Sequence, residues 1–282
     1  MKTIRQIDKV KRQTEKAKLE GRSIGFVPTM GFLHEGHLCL IREARKNCDY
    51  TAVSIFVNPT QFAPSEDFRS YPRDMNRDAR LCRKEKVDLL FVPDEHQMYP
   101  EDFQTHVEVE ELTQGLCGAK RPGHFRAVTT VVTKLFNIVC PDVAYFGQKD
   151  AQQARVIEKM VEDLNMNIKV KILPIAREKD GLALSSRNIY LTREQRKQAP
   201  FLYKSLLTAE KLIDSGNKDV SEIKKEIKKE IRQNTSAKID YVEIVNWNDL
   251  KEADRIKGKI LIAAAAWFGK ARLIDNIIIE VD

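Results

Sequence analysis

The sequence predicts an α/β protein: a doubly wound, Rossmann-like domain built on a parallel sheet, followed by a smaller C-terminal α+β domain. Short apolar runs alternate with amphipathic segments through most of the chain, and this β-α-β order is typical of a parallel sheet with right-handed crossovers. The composition changes beyond Arg187, where two charged helical segments precede apolar strands. A chain of 282 residues also exceeds the usual size of one domain. We therefore expect a first domain at 1–187 and a second at 188–282.

The first domain is expected to contain several short strands, of which those at 23–28 and 142–146 are predicted to be buried because their runs are largely apolar. These strands are predicted at 23–28, 50–57, 87–92, 142–146 and 168–175, with a weaker edge strand at 105–112. Helices with one apolar stripe are predicted at 4–20, from residue 38 onward, and at 74–86, 128–139 and 150–164. The glycine-rich stretch 115–125 is expected to be a loop.

The second domain is expected to begin with helices. Thr192 is a suitable cap for a helix that runs to about residue 215, and Pro200 should kink that helix because proline lacks the backbone N–H. A second, charged helix is predicted at 220–233, followed by strands at 240–247, 259–266 and 277–281. This domain is expected to act as a lid that closes over the site and excludes water, with a hinge at 187–192.

Composition and charge exclude several classes of protein. The net charge of +7 suits an enzyme of phosphate-bearing substrates, but the basic tract at 224–232 alternates signs at helical spacing, which is typical of a solvated helix face. We therefore expect no nucleic-acid partner. The longest apolar run, at 260–268, is far shorter than the roughly 20 residues that cross a bilayer, so we expect no membrane association.

The cysteines and the N-terminus favour a cytoplasmic protein. The five cysteines are an odd number and include no Cys-x-x-Cys pair, so reduced thiols are expected rather than a disulfide framework. The first 22 residues contain no apolar segment of the kind found in a secretory signal.

The strongest motif is the His34-Glu35-Gly36-His37 segment, which lies where the first strand leads into the first long helix. In doubly wound folds ligands bind beyond the carboxyl ends of the strands, and a helix N-terminus attracts phosphate. Two imidazoles three residues apart share one helix face, so both can bond to a polyphosphate. Two alternatives remain open at this point: a structural metal and a purely structural pair of histidines.

Two further segments carry groups that suit phosphate. Gly147-Gln148-Lys149-Asp150 follows a predicted buried strand, and its lysine supplies a mobile positive charge. Ser185-Ser186-Arg187-Asn188 places two hydroxyl groups beside a guanidinium at the expected domain boundary. Each segment alone is also typical of an ordinary turn. Together with the histidine motif, they predict a nucleotide site.

The segment from Pro28 to His37 reads PTMGFLHEGH. Further ordered blocks are FVNPTQF at 56–62, YPR at 71–73, KRPGHF at 120–125, FGQKDAQQ at 146–153, REKDGLALSSRN at 177–188 and ARLID at 271–275. In these blocks the chain resembles the pantoate–β-alanine ligase family, the pantothenate synthetases, whose signature is PTMGxLHxGH. That family lies within the superfamily of nucleotidyltransferases that share a His-x-Gly-His motif. The resemblance extends over essentially the whole chain.

The resemblance implies an ATP-dependent ligation in two steps. The carboxylate of pantoate attacks the α-phosphate of ATP and forms pantoyl adenylate and pyrophosphate. The amine of β-alanine then attacks the acyl carbon, and AMP leaves. ATP is thus an expected substrate and Mg²⁺ an expected cofactor. The reaction would belong to the pathway to pantothenate and coenzyme A.

The resemblance also implies the roles of individual residues. His37, His34, Lys149 and Arg187 are the expected catalytic groups, with His37 in the family's usual position of proton donor. Pantoate is expected at Gln61 and Gln153, and β-alanine at Gln61. The ATP site is expected to comprise Met30, Gly31, Phe32, Leu33, His34, Glu35, Gly36, His37, Gly147, Gln148, Lys149, Asp150, Ala176, Leu184, Ser185, Ser186 and Arg187.

The chain departs from the family's pattern at the expected magnesium site. The family often carries two acidic residues in the helix after Tyr-Pro-Arg, whereas here the pair reads Arg77-Asp78. Asp78 is therefore the one expected protein contact to Mg²⁺, directly or through water. Ala176 and Leu184 replace the more common valine and methionine, which should not alter the chemistry. The resemblance also implies a homodimer through the first domain.

Two functions from other classes compete with this interpretation. A nucleotidyltransferase that transfers AMP or CMP to a phosphorylated alcohol would give a stable dinucleotide product instead of free AMP. An RNA-binding module without catalysis would bind RNA in a salt-dependent way and use no ATP.

Overall fold

The computed structural model describes residues 1–64 and 66–281, which form two compact units. Unit 1 comprises Met1–Glu110, Lys120–Gly147 and Val156–Leu173, and unit 2 comprises Glu111–Ala119, Gln148–Arg155 and the chain from Pro174 onward. The segment 174–187 therefore groups with the C-terminal residues, whereas the sequence placed the boundary after Arg187. Within unit 2, this segment is held to the C-terminal strand by the long-range bond between Arg177 and Asp275. The assignment of 188–282 as a lid stays a prediction.

Unit 1 contains a parallel sheet of six strands among the described residues. The strands are β1 (Lys2–Ile4), β2 (Ile24–Thr29), β3 (Tyr50–Ile55), β4 (Leu89–Phe91), β5 (Val143–Gly147) and β6 (Lys169–Leu173). Their order is β1-β4-β3-β2-β5-β6, and every neighbouring pair is parallel. The order reverses between β2 and β5, which is the switch point of a doubly wound sheet. This topology confirms the predicted fold class.

Ten α-helices accompany the strands in the described part of the chain. They are α1 (Ile7–Leu19), α2 (Glu35–Asn47), α3 (Met75–Lys84), α4 (Glu95–Met98), α5 (Leu116–Lys120), α6 (His124–Val139), α7 (Ala151–Asp163), α8 (Arg193–Gln198), α9 (Phe201–Asp214) and α10 (Val220–Asn234). All six residues of β3 are buried, as expected of a strand covered on both faces by helices. None of these helices is both long enough and apolar enough to cross a membrane.

Unit 2 contains an antiparallel sheet of three strands, β7 (Lys238–Asn246), β8 (Gly258–Phe268) and β9 (Ala271–Val281), in the order β7-β8-β9. The charged helix α10 buries Ile223, Ile227 and Ile231 at a spacing of four residues, which leaves a charged face on the other side, as predicted. Lys224, at the border of that face, is 16% exposed and pairs with Glu243 on β7. Helix α8 ends before Pro200 and α9 begins after it. The structure therefore has two helices that meet at Pro200, where the sequence predicted one helix with a kink.

Three predictions about secondary structure were wrong. Residues 104–110 form no strand, because the backbone N–H and carbonyl of Val107 bond to the hydroxyl groups of Thr130 and Thr129 on α6. The expected loop at 115–125 contains α5 and the first two residues of α6. The chain starts with β1 rather than with a helix from residue 4, and β1 pairs with β4.

Candidate functional site

In unit 1, the loop that follows β2 carries the histidine motif. The hydroxyl of Thr29 accepts a hydrogen bond from the backbone N–H of Gly31 (3.1 Å), and Gly31 has a φ of +85°. A side chain at Gly31 would meet Ile55 Cγ2 at 2.9 Å, so both the backbone angle and the space require glycine. Phe32 continues the turn with a φ of +50°. The chain thus reverses sharply before α2.

Asp78 holds this loop from α3. Its side chain is 1% exposed, and its two carboxylate oxygens accept the backbone N–H groups of Phe32 (2.7 Å) and Leu33 (2.8 Å). Burial raises the pKa of Asp78 above its ordinary value, although the two N–H donors act in the opposite direction. The sequence predicted a contact to magnesium for this residue, whereas the structure uses both oxygens to fix the backbone that leads to His34.

His34 and His37 meet at the N-terminus of α2. Their ring centroids lie 4.1 Å apart, and Nδ1 of His37 accepts a hydrogen bond from the backbone N–H of His34 (3.3 Å). Since Nδ1 is the acceptor, the proton of a neutral His37 ring resides on Nε2, which is then a donor. The N–H groups of Glu35 and Gly36 occupy the first helical positions, where no carbonyl of the helix can accept them. Imidazole and backbone donors are therefore combined at one helix end, and this suits an anion.

Gln61 lies in the 3₁₀ turn Pro59–Gln61, and its amide is oriented by neighbours on two sides. Its Nε2 donates to Sδ of Met30 (3.0 Å), and its Oε1 accepts from Nδ2 of Asn58 (3.3 Å). Its backbone carbonyl is bonded by Nη2 of Arg121 (3.2 Å) and by Nδ1 of His124 (2.9 Å). The amide predicted to bind pantoate is thus held in place within unit 1.

Arg121 anchors the segment around Gln61 through an ion pair. Its guanidinium bonds to both carboxylate oxygens of Glu66 (2.6 Å each) and to Nε2 of His124 (2.9 Å). Burial acts to raise the pKa of Glu66, but the bonds and the charge of Arg121 outweigh it, and the pKa lies below its ordinary value. Gln61, Glu66, Arg121 and His124 line a cavity of about 450 Å³ within unit 1. The sequence identified the block KRPGHF but assigned no role to its residues.

In unit 2, the turn Gln148–Asp150 carries Lys149, whose side chain is 21% exposed. Its ammonium group lies 3.6 Å from the carboxylate of Asp150. Gly147, the last residue of β5, precedes this turn and belongs to unit 1. No atom lies within 4 Å of the position that a Cβ would occupy at Gly147, so the space beside it is open. Gln153 lies on α7 and is half-buried, whereas its neighbour Gln152 is buried and bonds to the backbone of 112–118.

The second loop of unit 2 brings together the remaining predicted ATP residues. The backbone N–H of Leu184 donates to the carbonyl of Ala176 (3.0 Å), which closes a hairpin. The hydroxyl of Ser185 then accepts the backbone N–H of Arg187 (3.2 Å) at the start of the 3₁₀ turn Ser186–Tyr190. Ser186 is buried. The predicted hydroxyl and guanidinium groups therefore lie on one short turn.

No group of three or more His, Cys, Asp or Glu residues that could hold a metal occurs within 1–64 and 66–281. Asp78 is buried, and each of its oxygens accepts one backbone N–H group, which leaves each oxygen a second lone pair. Its contact to Mg²⁺, directly or through water, stays a prediction. All five cysteines are free thiols.

The model of the family described as pantoate–β-alanine ligase matches residues 2–278. The chain belongs to the pantoate–β-alanine ligase family. It is 56% identical over 281 residues to the pantothenate synthetase of Acetivibrio thermocellus, and the alignment covers 100% of both chains.

Solved structures of pantoate–β-alanine ligases are similar to the chain in fold. The pantothenate synthetase of Thermus thermophilus superposes with a TM-score of 0.93 at 43% identity, covering 98% of this chain and 99% of that one. The ligase of Francisella tularensis, which was solved in complex with β,γ-ATP and β-alanine, gives a TM-score of 0.81 at 34% identity, covering 99% and 97%. The resemblance and the fold inferred from the sequence are both confirmed.

Proposed function

We propose that this chain catalyses the ATP-dependent ligation of pantoate and β-alanine to pantothenate, with AMP and pyrophosphate as the other products. The observation that carries the proposal is the match of the family model over nearly the full length of the chain. The enzyme is thus a carbon–nitrogen ligase that forms AMP.

In the first step, a carboxylate oxygen of pantoate attacks the α-phosphorus of ATP. The new oxygen–phosphorus bond forms as the bond to the β-phosphate oxygen breaks, and pyrophosphate departs with the electron pair. Negative charge grows on the phosphate oxygens, so donors that are fixed before the reaction lower the barrier. His34 and His37 are assigned to this role, together with the N-terminus of α2. Because Nδ1 of His37 accepts the N–H of His34, Nε2 is the ring nitrogen that is left to carry a proton, and this supports the assignment of His37 as the proton donor.

Lys149 and Arg187 are assigned to the phosphates as positive charges. The two side chains differ in kind, because an ammonium is a compact charge on a flexible stem and a guanidinium is a planar fork. Met30–His37, Gly147–Asp150, Ala176 and Leu184–Arg187 complete the proposed set of ATP contacts.

In the second step, the amine of β-alanine attacks the acyl carbon of pantoyl adenylate. The carbon–oxygen bond to AMP breaks, the amide bond forms, and the amine loses a proton. Gln61 and Gln153 are assigned to pantoate, since amides bond to its hydroxyl and carboxylate groups without adding repulsive charge. Gln61 is also assigned to β-alanine. Its bonds to Met30 and Asn58 support a fixed orientation.

Mg²⁺ is proposed to arrive with ATP, held by phosphate oxygens and water, as this cation prefers. It would neutralise phosphate charge.

We also propose a cytoplasmic homodimer from the family resemblance. Light scattering on the purified chain would report a mass of two chains, and a mass of one chain at working concentration would contradict the dimer.

The test is exchange of labelled pyrophosphate into ATP in the absence of β-alanine. The proposal predicts exchange that requires pantoate, because only the reversible first step returns pyrophosphate to ATP. Omission of pantoate is the matched control. If the folded protein catalyses no exchange but releases AMP once β-alanine is added, adenylation as a separate first step is excluded. Release of a dinucleotide would instead support the nucleotidyltransferase alternative.

A further inference from the structure

Asp275 and Asn276 are a buried polar pair in the middle of the apolar strand β9. Each is 3% exposed, and the strand reads ARLIDNIIIEV. Polar groups buried in this way lower stability unless they are hydrogen-bonded, so their partners indicate why the strand contains them.

The amide of Asn276 is used entirely on the turn that carries Lys149. Its Nδ2 donates to the backbone carbonyls of Gln148 and Lys149, both at 3.0 Å, and its Oδ1 accepts from Nε2 of Gln148 at 3.2 Å. An amide nitrogen has two hydrogens, so both donors are used on two successive carbonyls. These bonds fix the backbone from which the side chain of Lys149 extends.

Asn276 is itself held by a charged network. The carboxylate of Asp275 accepts the backbone N–H of Asn276 (2.8 Å) and forms a two-point ion pair with Arg177 (2.7 and 2.8 Å). The guanidinium of Arg177 lies 3.4 Å from the ring centroid of Tyr203 and donates to the carbonyl of Gly181 (3.0 Å). Because the guanidinium of Arg177 is both paired at two points with Asp275 and stacked on the ring of Tyr203, the side chains of Arg177 and Asp275 have little conformational freedom. The backbone at Asn276 is therefore rigid.

We propose that Asn276 is a positioning residue for the ligase reaction: it sets the turn 148–150 so that Lys149 meets the phosphates of ATP. The inference rests on the proposed role of Lys149. Asn276 acts through that lysine, and its loss should slow adenylation without weakening the binding of pantoate. Small displacements of a catalytic group lower rates steeply, by up to about 100-fold for 1 Å.

The test compares Asn276→Ala with Lys149→Met and with the double variant. Asn276→Ala should slow pantoate-dependent ATP–pyrophosphate exchange about 10–100-fold, with the KM for pantoate within about 2-fold of the wild type. In the Lys149→Met background the same change should cost less than about 2-fold, because the lysine that Asn276 positions is gone. Asn246→Ala, at the end of β7 in the same sheet, is the matched control and should exchange at the wild-type rate.

Two further measurements separate positioning from general destabilisation. Wild type and Asn276→Ala should convert supplied pantoyl adenylate and β-alanine at rates within about 3-fold, because the lysine is assigned to the first step; a structural defect would slow both steps alike. Asn276→Asp, which preserves the size of the side chain, should exchange more slowly than Asn276→Ala because a carboxylate would face two carbonyl oxygens. This variant also provides the readout if the alanine variant does not fold.

Each outcome decides a different claim. Exchange at the wild-type rate in Asn276→Ala, while Lys149→Met is slow, overturns the positioning role and leaves the proposed function intact. Additive losses in the double variant overturn it as well. A fast Lys149→Met overturns the role of the lysine and this inference together, and a wild type without pantoate-dependent exchange overturns the proposed function itself.

Discussion

Replacing Asp78 by asparagine should loosen the loop that carries His34 and His37. The carboxylate accepts two backbone N–H groups, from Phe32 and Leu33, with one oxygen for each. An asparagine amide has one oxygen, so one N–H would lose its acceptor and face an NH₂ group. A buried donor left without an acceptor costs about 1–3 kcal/mol, and we expect Asp78→Asn to destabilise the loop by that amount.

Hydrogen exchange of the amides at Phe32 and Leu33 measures this effect directly. A loss of about 1–3 kcal/mol should speed exchange of at least one of the two by about 5- to 150-fold. Adenylation should also slow, by about 10–100-fold, because the loop leads to His34.

Asp74→Asn is the matched control for this prediction. Asp74 caps the same helix, α3, and its side chain accepts only one backbone N–H, from Arg77 (2.9 Å). Asparagine caps helices about as well as aspartate, so this variant should behave like the wild type. Unchanged amide exchange at both Phe32 and Leu33 in Asp78→Asn, or an equal effect in Asp74→Asn, would refute the reasoning.

Three other changes have definite expected outcomes. His37→Ala should lower kcat about 100- to 1,000-fold in steady-state assays, since one fixed donor is lost, while the exposed His96→Ala should not; near-normal turnover would remove His37 from the mechanism. Gly31→Ala should lower the free energy of unfolding by about 1–3 kcal/mol in chemical denaturation. Gly216→Ala should lower it less, because both glycines have positive φ but Gly216 has space for a methyl group and Gly31 does not. Equal losses in the two variants would contradict the crowding argument. The lowered pKa of Glu66 contributes stability that is present above its ordinary value of 4.5 and is lost as pH falls through the folded value. Glu66→Gln should therefore flatten the loss of stability as the pH falls below about 4.5, measured by circular dichroism, and an unchanged slope in that range would count against the ion pair.

The sequence allowed most of the fold to be predicted because most elements follow a local pattern. The largely apolar run YTAVSI of β3 indicates a covered strand, and the four-residue spacing of isoleucines in α10 indicates one buried stripe. Strand β1 has no such pattern, since it is three residues long and exists because it pairs with the distant β4. Residues 105–112 show the opposite error, because their alternation is real but Val107 bonds to threonine side chains instead of a strand.

The candidate site divides in the same way. The histidine motif was predictable, because its spacing and its place after a strand both carry chemical meaning. The contacts of Asp78 were not, since its partner Leu33 lies 45 residues away and nothing local distinguishes it from a solvated carboxylate. Asn276 is a similar case, as its bonds to Gln148 and Lys149 depend on tertiary structure alone.

The most direct test of the central claim follows the carboxylate oxygen of pantoate. Pantoate labelled with oxygen-18 in both carboxylate positions is converted with ATP and β-alanine, and the products are weighed by mass spectrometry. If the carboxylate attacks the α-phosphorus, one labelled oxygen stays with phosphorus when the amine displaces AMP, so AMP must carry one oxygen-18. Unlabelled AMP, or the label in inorganic phosphate beside ADP, would contradict the acyl-adenylate route.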